Sequence, residues 1–374
     1  MAGLYFHIPF CKRVCAYCDF FHSVELGRSD ALVEAMHREL EAAAPFLSDR
    51  HVRTIYFGGG TPSLLPPARL QELMDHAAAL LDCSAVEERT MEANPDDLDG
   101  AYLEALARTE IDRLSVGVQS FDDGALRLMN RRHTAAQAEQ ALRRAQEAGF
   151  RNVTLDLIFG IPGFGEPSLR QSLEKAVGLA PGHISAYHLT IEPATAFGRR
   201  AARGTFGPVD ERTSEREYAL VHETLTAAGY CHYEVSNYAR EGFRARHNSA
   251  YWTGDEYLGI GPSAHSFARG IRRWGVASLE EYLRLAGTDA LYGSEWLSER
   301  DRYNECVMTG LRTAEGVDPD RIGALFGERR RERFLREAGP LEAAGLLVRH
   351  GVRLAIPAER FLLSDSVIER FFEV

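Results

Sequence analysis

Long apolar runs are missing from this sequence. No stretch of about 18 apolar residues is present that could span a bilayer as a helix. The opening MAGLYFHIPF has neither a basic n-region nor a cleavage site for export. Positive charge is in deficit too: 43 lysines and arginines face 54 acids, a formal net charge of −11. Binding nucleic-acid phosphates needs cations, so this balance excludes a general nucleic-acid binder. Cysteine is sparse, six in 374 residues. With no export signal the expected location is the cytoplasm, where thiols stay reduced and a disulfide framework is excluded. Hydrophobic residues make up 45 %, enough for a sizeable core, which excludes dominant disorder.

What is present is a rhythm of apolar runs alternating with amphipathic stretches. AGLYFHI (2–8), VRTIYFGGG (52–60), EERTMEANP (87–95), DRLSVGVQS (112–120), NVTLDLIFGIPG (152–163) and HISAYHLTIEP (183–193) read as six strands. Helical patterns over about 30–47, 67–81, 134–149 and 167–179 separate them, the first capped by Ser29 or Asp30. Repeated β-α units predict an α/β fold with a parallel sheet, open or curled into a barrel. The unusual residues, from Cys11–Cys18 through Gly58–Pro62, Glu92, Asn94, Gln119 and Asp156 to Tyr187, all fall at the C-terminal ends of these strands. That is the rim where such sheets bind ligands. After about 290 the pattern changes to helices at 298–313, 319–327 and 327–338. A hairpin at 345–356 turning at His350-Gly351 and a closing helix capped by Ser364 or Asp365 complete it. The expected division is residues 1–290 and a small winged-helix-like domain at 291–374. Arginines 329, 330, 331, 333 and 336 alternate with glutamates, which predicts a solvated helix face.

Half of the cysteines stand together. Cys11, Cys15 and Cys18 in HIPFCKRVCAYCDFF follow a C-x3-C-x2-C spacing, while Cys83, Cys231 and Cys306 are scattered and read as small core residues. A structural zinc site would want four ligands, with His7 or His22 as the fourth. Three thiolates suit three corners of a cubane iron–sulfur cluster and leave one iron open to a further ligand.

On the loop after a first strand, this triplet resembles the radical S-adenosylmethionine (SAM) superfamily, and GGGTPS (58–63) is similar to its glycine motif. The resemblance implies a partial (β/α)6 TIM-like barrel in which Cys11, Cys15 and Cys18 hold a 4Fe-4S cluster. SAM would chelate the open iron and be cleaved to a 5′-deoxyadenosyl radical. YFGGGTPS, MEANPDD, SVGVQSFDD, DLIFGIPG, YEVSNYAR, HNSAYW and GIGPSAHSF extend it over nearly the whole chain, to the coproporphyrinogen-oxidase-like branch and its HemW-type heme chaperones. By that comparison Tyr5 and Tyr17 lie beside SAM and cluster, and Gly59, Gly60, Thr61, Glu92, Gln119, Arg131 and Asp156 contact SAM.

HNSAYW (247–252) resembles the H-N-x-x-Y-W motif of the heme-binding group, which makes His247, Tyr251 and Trp252 candidate heme contacts, with His232 and His265 weaker ones. The implied function is delivery of heme to an acceptor hemoprotein, with an external electron donor for the cluster. The alternatives are an oxygen-independent coproporphyrinogen III oxidase or a related radical SAM methyltransferase. Against the oxidase, Phe20 stands where that enzyme has a further cysteine, and the cluster motif arrives by residue 11 without the enzyme's N-terminal extension.

Overall fold

The computed structural model describes residues 1–374. Six parallel strands form its centre: β1 (Ala2–Ile8), β2 (Val52–Gly59), β3 (Glu88–Ala93), β4 (Arg113–Gln119), β5 (Asn152–Phe159) and β6 (His183–His188). They lie side by side in chain order, each paired in parallel with the next. β1 and β6 do not pair with each other, so the barrel is partial. Leu4, Phe6, Ile8, Ile55, Phe57, Leu114, Val116, Leu155 and Leu157 are all buried, as expected of strands covered on both faces. The connections carry helices α1 (Ser29–Ala43), α2 (Pro67–Leu80), α3 (Gly100–Leu106), α4 (Asp123–Leu128), α5 (Ala135–Glu147) and α6 (Gly165–Leu179). On α1, Leu32, Val33, Met36 and Leu40 face the sheet. Neither Ser29 nor Asp30 caps α1: helical turns already begin at Leu26, so the start comes earlier than the side-chain signal. Thr134 does cap α5, in a reciprocal capping box with Gln137.

The chain after β6 extends the sheet at both edges. Helices α7 (Ala196–Ala202) and α8 (Glu211–Ala227) lead to the hairpin β7 (Cys231–Glu234) and β8 (Asn237–Ala239), and β8 joins β6 antiparallel. The chain then crosses through α9 (Arg246–Thr253) to β9 (Tyr257–Ile260), which pairs in parallel with β1. β10 (His265–Ala268), β11 (Ile271–Gly275), α10 (Leu279–Leu285) and β12 (Tyr292–Trp296) finish that edge, giving a twelve-stranded sheet. β12 pairs with β11 and so closes that edge of the sheet before the helices of the C-terminal part begin.

That part holds α11 (Glu299–Leu311), α12 (Pro319–Phe326), α13 (Glu328–Ala343), the hairpin β13 (Val348–His350) and β14 (Arg353–Ala355), and α14 (Ser364–Ile368). The hairpin turns at Gly351–Val352, one residue later than expected, with Gly351 at φ +62°. Ser364 and Asp365 make no cap, because a 3-10 turn runs directly into α14. On α13, Arg330 and Arg333 pair with Glu373, and Arg331 with Asp320 and Glu328, so these arginines brace the domain. One hydrophobic core runs from Ala2 to Phe371. No helix is long and apolar enough to cross a membrane.

Candidate functional site

The three clustered thiols stand on a loop that leaves β1 and returns to it. Ser23 N–H donates to the Pro9 carbonyl at 2.8 Å, and Cys11 N–H to the Ser23 carbonyl at 2.9 Å, closing the loop at its base. Buried His7 shares hydrogen bonds with the Tyr5 hydroxyl (3.1 Å) and the Phe21 carbonyl (3.0 Å). Burial lowers its pKa to about 4, so it stays neutral. With both nitrogens engaged, His7 is excluded as a fourth zinc ligand. From the opposite side, Asn130 Nδ2 donates to the Val14 carbonyl (2.7 Å) and Ala16 N–H to the Met129 carbonyl (3.0 Å). Lys12 bonds Asp97 at 2.8 Å, and Asp97 also accepts from Ser63 and Arg132. Protein contacts alone therefore define the loop's shape.

Cys11, Cys15 and Cys18 face a cavity of about 490 Å³ at the C-terminal ends of β1–β6. Tyr17, Gly59, Gly60, Thr61, Glu92, Gln119, Arg131 and Asp156 line the same cavity, so eight of the nine residues expected around SAM converge there. Tyr5 is the exception. It sits beneath the end of β2, its ring 6.0 Å from that of Tyr56, and supports the wall instead of lining it.

The glycines at the end of β2 allow a close approach, though first of all to the chain's own loop. A Cβ on Gly60 would lie 2.6 Å from the Pro9 carbonyl, and one on Gly59, at φ +108°, would meet the His7 ring at 2.6 Å. Beyond them a belt of polar contacts joins two of the thiols. Cys11 Sγ lies 3.7 Å from Thr61 Oγ1, which accepts from Asn94 Nδ2 at 3.0 Å. Asn94 Oδ1 accepts from Arg131 at 2.6 Å, and Arg131 also donates to the Gly117 carbonyl (2.6 Å) and to Cys15 Sγ (3.3 Å). Arg131 Nε is buried without a partner. A side chain on Gly117 would strike Gln119 and Arg131. Gln119 itself stands at φ +68° where the β4–β5 register slips, an unusual backbone for a non-glycine residue that turns its amide into the cavity.

Two carboxylates are fixed beneath this belt. Glu92 accepts from the Tyr56 hydroxyl (2.8 Å) and from Gly59 N–H (3.1 Å). Burial raises its pKa to about 7, those hydrogen bonds oppose the rise, and the neighbouring Asp156 charge adds to it. Asp156 accepts from Ser115 at 3.2 Å, and burial lifts it to about 6. Burial likewise pushes Cys18 up to about 11, and raises Cys11 against the pull of the Thr61 hydroxyl. These two half-buried thiols therefore need a cationic partner to become thiolates.

The donor set suits an iron–sulfur group better than a lone ion. Three soft thiols spread around a cavity, and no three His, Cys, Asp or Glu side chains are grouped to hold one metal ion.

HNSAYW forms α9, which closes the opposite end of the barrel. Glu88, the first residue of β3, accepts from the N–H groups of Arg246 (2.9 Å) and His247 (3.0 Å) at the start of α9. Arg113, also fully buried, lies 3.7 Å from Glu88 and bonds Thr90 and Thr154. His247 is 2 % exposed, and its two ring nitrogens are taken by Thr54 Oγ1 (2.9 Å) and the Tyr251 hydroxyl (3.0 Å). It is therefore not placed as an open heme ligand, and burial holds it neutral, with a pKa of about 3. Its ring stacks on Tyr56 at 4.9 Å. Tyr251 and Trp252 instead line a second, larger cavity between α9 and the C-terminal helices. His232 is buried against Tyr238, and Cys231 is exposed rather than a core residue.

Asn94, Ser115, Gly117 and Asp97 complete the rim site without having been assigned roles from sequence. The signal for Asn94 was its place beside Glu92 on a strand end. Asp97 gave none, since its role depends on where Lys12 and Arg132 come to lie.

Residues 5–176 match the radical SAM superfamily, and residues 297–363 match the HemN C-terminal domain. The heme chaperone HemW of Lactococcus lactis is 34 % identical over 98 % of this chain and 96 % of its own length. That of Mycobacterium tuberculosis is 37 % identical over 98 % and 93 %. Coproporphyrinogen III oxidase (HemN) from Escherichia coli shares the fold, with a TM-score of 0.83 over 99 % of this chain and 89 % of that one, at 24 % identity. With such similarity running from end to end, the chain belongs to the HemW family of radical SAM proteins.

Proposed function

We propose that this protein is a heme carrier: it binds a 4Fe-4S cluster, SAM and heme, and passes heme to an acceptor hemoprotein. Cys11, Cys15 and Cys18 would hold the cluster. Thr61 and Arg131 brace two of these thiols, Cys11 and Cys15, by direct side-chain contact. The backbone of Gly59 and Gly60 and the amide of Gln119 would position the amino-acid part of SAM. Glu92 and Asp156 accept hydrogen bonds and suit ribose hydroxyls, and Tyr17 would flank the cluster. When bound, the cluster supplies single electrons, drawn from an external donor, and an open coordination position. The chain's own contribution is to orient SAM against that position and to hold two carboxyls at its edge.

The observation that carries this reading is the convergence of three thiols and eight rim residues on one cavity, in a chain related over its whole length to proteins named heme chaperones. The absence of a cysteine at Phe20, which is 70 % exposed, weighs against coproporphyrinogen decarboxylation. One anaerobic experiment tests both. Reconstituted protein is assayed for iron, sulfide and hemin uptake, then for heme transfer to an apo-hemoprotein, and in parallel for turnover of coproporphyrinogen with SAM. Stoichiometric iron and sulfide with heme transfer support the proposal. Zinc without sulfide, absence of hemin uptake, or formation of protoporphyrinogen refutes it.

A further inference from the structure

Three chain segments approach the cysteine triplet at two depths. In the inner round Thr61, Asn94 and Arg131 join side chain to side chain and touch Cys11 and Cys15. The outer round uses residues slightly further along the same segments: Ser63, Asp97 and Arg132. Asp97 is its centre. One oxygen accepts from Lys12 Nζ at 2.8 Å and the other from the Ser63 hydroxyl at 3.1 Å, while Arg132 Nη2 approaches both, at 3.3 and 3.4 Å. The Asp97 side chain is only 3 % exposed, and a carboxylate so buried is costly unless charged and hydrogen-bonding partners surround it.

Each partner of Asp97 is a near neighbour of a group that meets a thiol. Lys12 directly follows Cys11. Ser63 shares a turn with Thr61, whose hydroxyl lies 3.7 Å from Cys11 Sγ. Arg132 directly follows Arg131, which donates to Cys15 Sγ at 3.3 Å. The backbone under Asp97 and Ser63 is stiff, since each lies in a 3-10 turn opened by a proline just past a strand end, Pro95–Asp97 and Pro62–Leu64. Asn94 N–H ties the two turns together by donating to Ser63 Oγ at 3.3 Å. The loop itself is held by its backbone at Cys11 and Val14, and between those points the Lys12–Asp97 ion pair holds it. Lys12 is 44 % exposed, and a pair between two exposed groups would contribute little. Here Ser63 and Arg132 already fix the carboxylate, so the pair has only the lysine to order.

We infer that Asp97 is a positioning residue for the cluster site: through Lys12, Ser63 and Arg132 it sets the spacing of Cys11 and Cys15, and so how firmly the thiols grip a cluster between them. Asp97 lines no part of the rim cavity and touches no thiol, so it acts from behind the loop. The inference rests on the proposed function for the cluster; the placing of the thiols stands on the contacts alone.

The test uses the full-length chain and Asp97→Asn, which keeps the side chain's shape and leaves Arg132 paired with Asp96 at 2.7 Å. In the cluster-free proteins, alkylation by iodoacetamide is followed cysteine by cysteine with mass spectrometry. Cys11 and Cys15 should react roughly tenfold faster in the variant, the scale of one lost charge-assisted hydrogen bond. Cys83 and Cys306, outside the site, should keep their wild-type rates. After anaerobic reconstitution the variant should lose iron to a chelator several-fold faster than wild type. Unchanged rates at Cys11 and Cys15, or an equal acceleration at Cys306, overturn the inference, because the first denies any effect and the second is general loosening. Iron lost at the wild-type rate from freed thiols overturns it as well. Should Asp97→Asn not fold, Lys12→Met cuts the loop's tie from a half-exposed position: selective acceleration at Cys11 supports the inference, and the wild-type rate there overturns it. If wild type takes up no iron and sulfide, the cluster reading falls, while the alkylation rates still decide whether Asp97 places the thiols.

Discussion

Replacing Glu92 by glutamine should separate stability from ligand binding. In the cluster-free protein burial raises the folded pKa of Glu92 from an ordinary 4.5 to about 7. Below pH 4.5 both folded and unfolded chains carry the proton, so the group costs nothing. Between 4.5 and 7 the unfolded chain ionises while the folded one keeps its proton, and stability falls as pH rises through that window. Above 7 the loss levels off at about 3 kcal/mol, since each pH unit of displacement is worth about 1.4 kcal/mol. Glutamine fills the same space and cannot ionise. Its advantage over wild type should therefore widen by about 2 kcal/mol between pH 5 and pH 8. Relief of Asp156, whose pKa Glu92 borders, acts with the same sign. Urea unfolding of both cluster-free proteins at the two pH values measures the widening. SAM affinity of the reconstituted variant should meanwhile drop about tenfold, for a lost charge-assisted hydrogen bond. A stability difference that is the same at pH 5 and pH 8 would refute the argument that this carboxyl is held unwillingly.

Gly60→Ala forces a methyl to within 2.6 Å of the Pro9 carbonyl and should destabilise the fold by about 1–3 kcal/mol, read by thermal melting, with iron content falling in step. Glu88→Ala strands the buried Arg113 and removes the acceptor that begins α9; a loss of about 3–5 kcal/mol is expected in chemical denaturation. His247→Ala should still take up hemin, with affinity weakened several-fold through a loosened Tyr251; complete loss of hemin uptake would make His247 a ligand.

The six central strands were legible because burial on both faces favours apolar runs, and a glycine or proline marks where all but the fourth run stop. Of the rim site, Asp156 was legible because an acid on an otherwise apolar strand needs a reason to be there, while Glu92 and Gln119 were marked by their strand ends and by the family resemblance. Helix starts were less legible. Ser29 and Asp30 look like caps, yet backbone turns at Leu26–Arg28 take that place. The surroundings of His247 were not legible, because a histidine's chemistry depends on which partners its nitrogens meet, and Thr54 lies 193 residues away. Cys306, read as a small core residue, is half-buried and lines the larger cavity. Its neighbours on the cavity come from α9, β9 and β10, which no local pattern links to α11.

The stack of Tyr56 on His247 fills the barrel between its two cavities. Glu92 accepts from Tyr56 at the rim cavity, and Tyr251 shares the far nitrogen of His247 at the larger one. A strand of six or seven residues spans roughly 20 Å, so a molecule held in one cavity does not reach the other. What crosses the interior is the tilt of a ring or the shift of a shared proton, and that links the rim to the far end of the barrel.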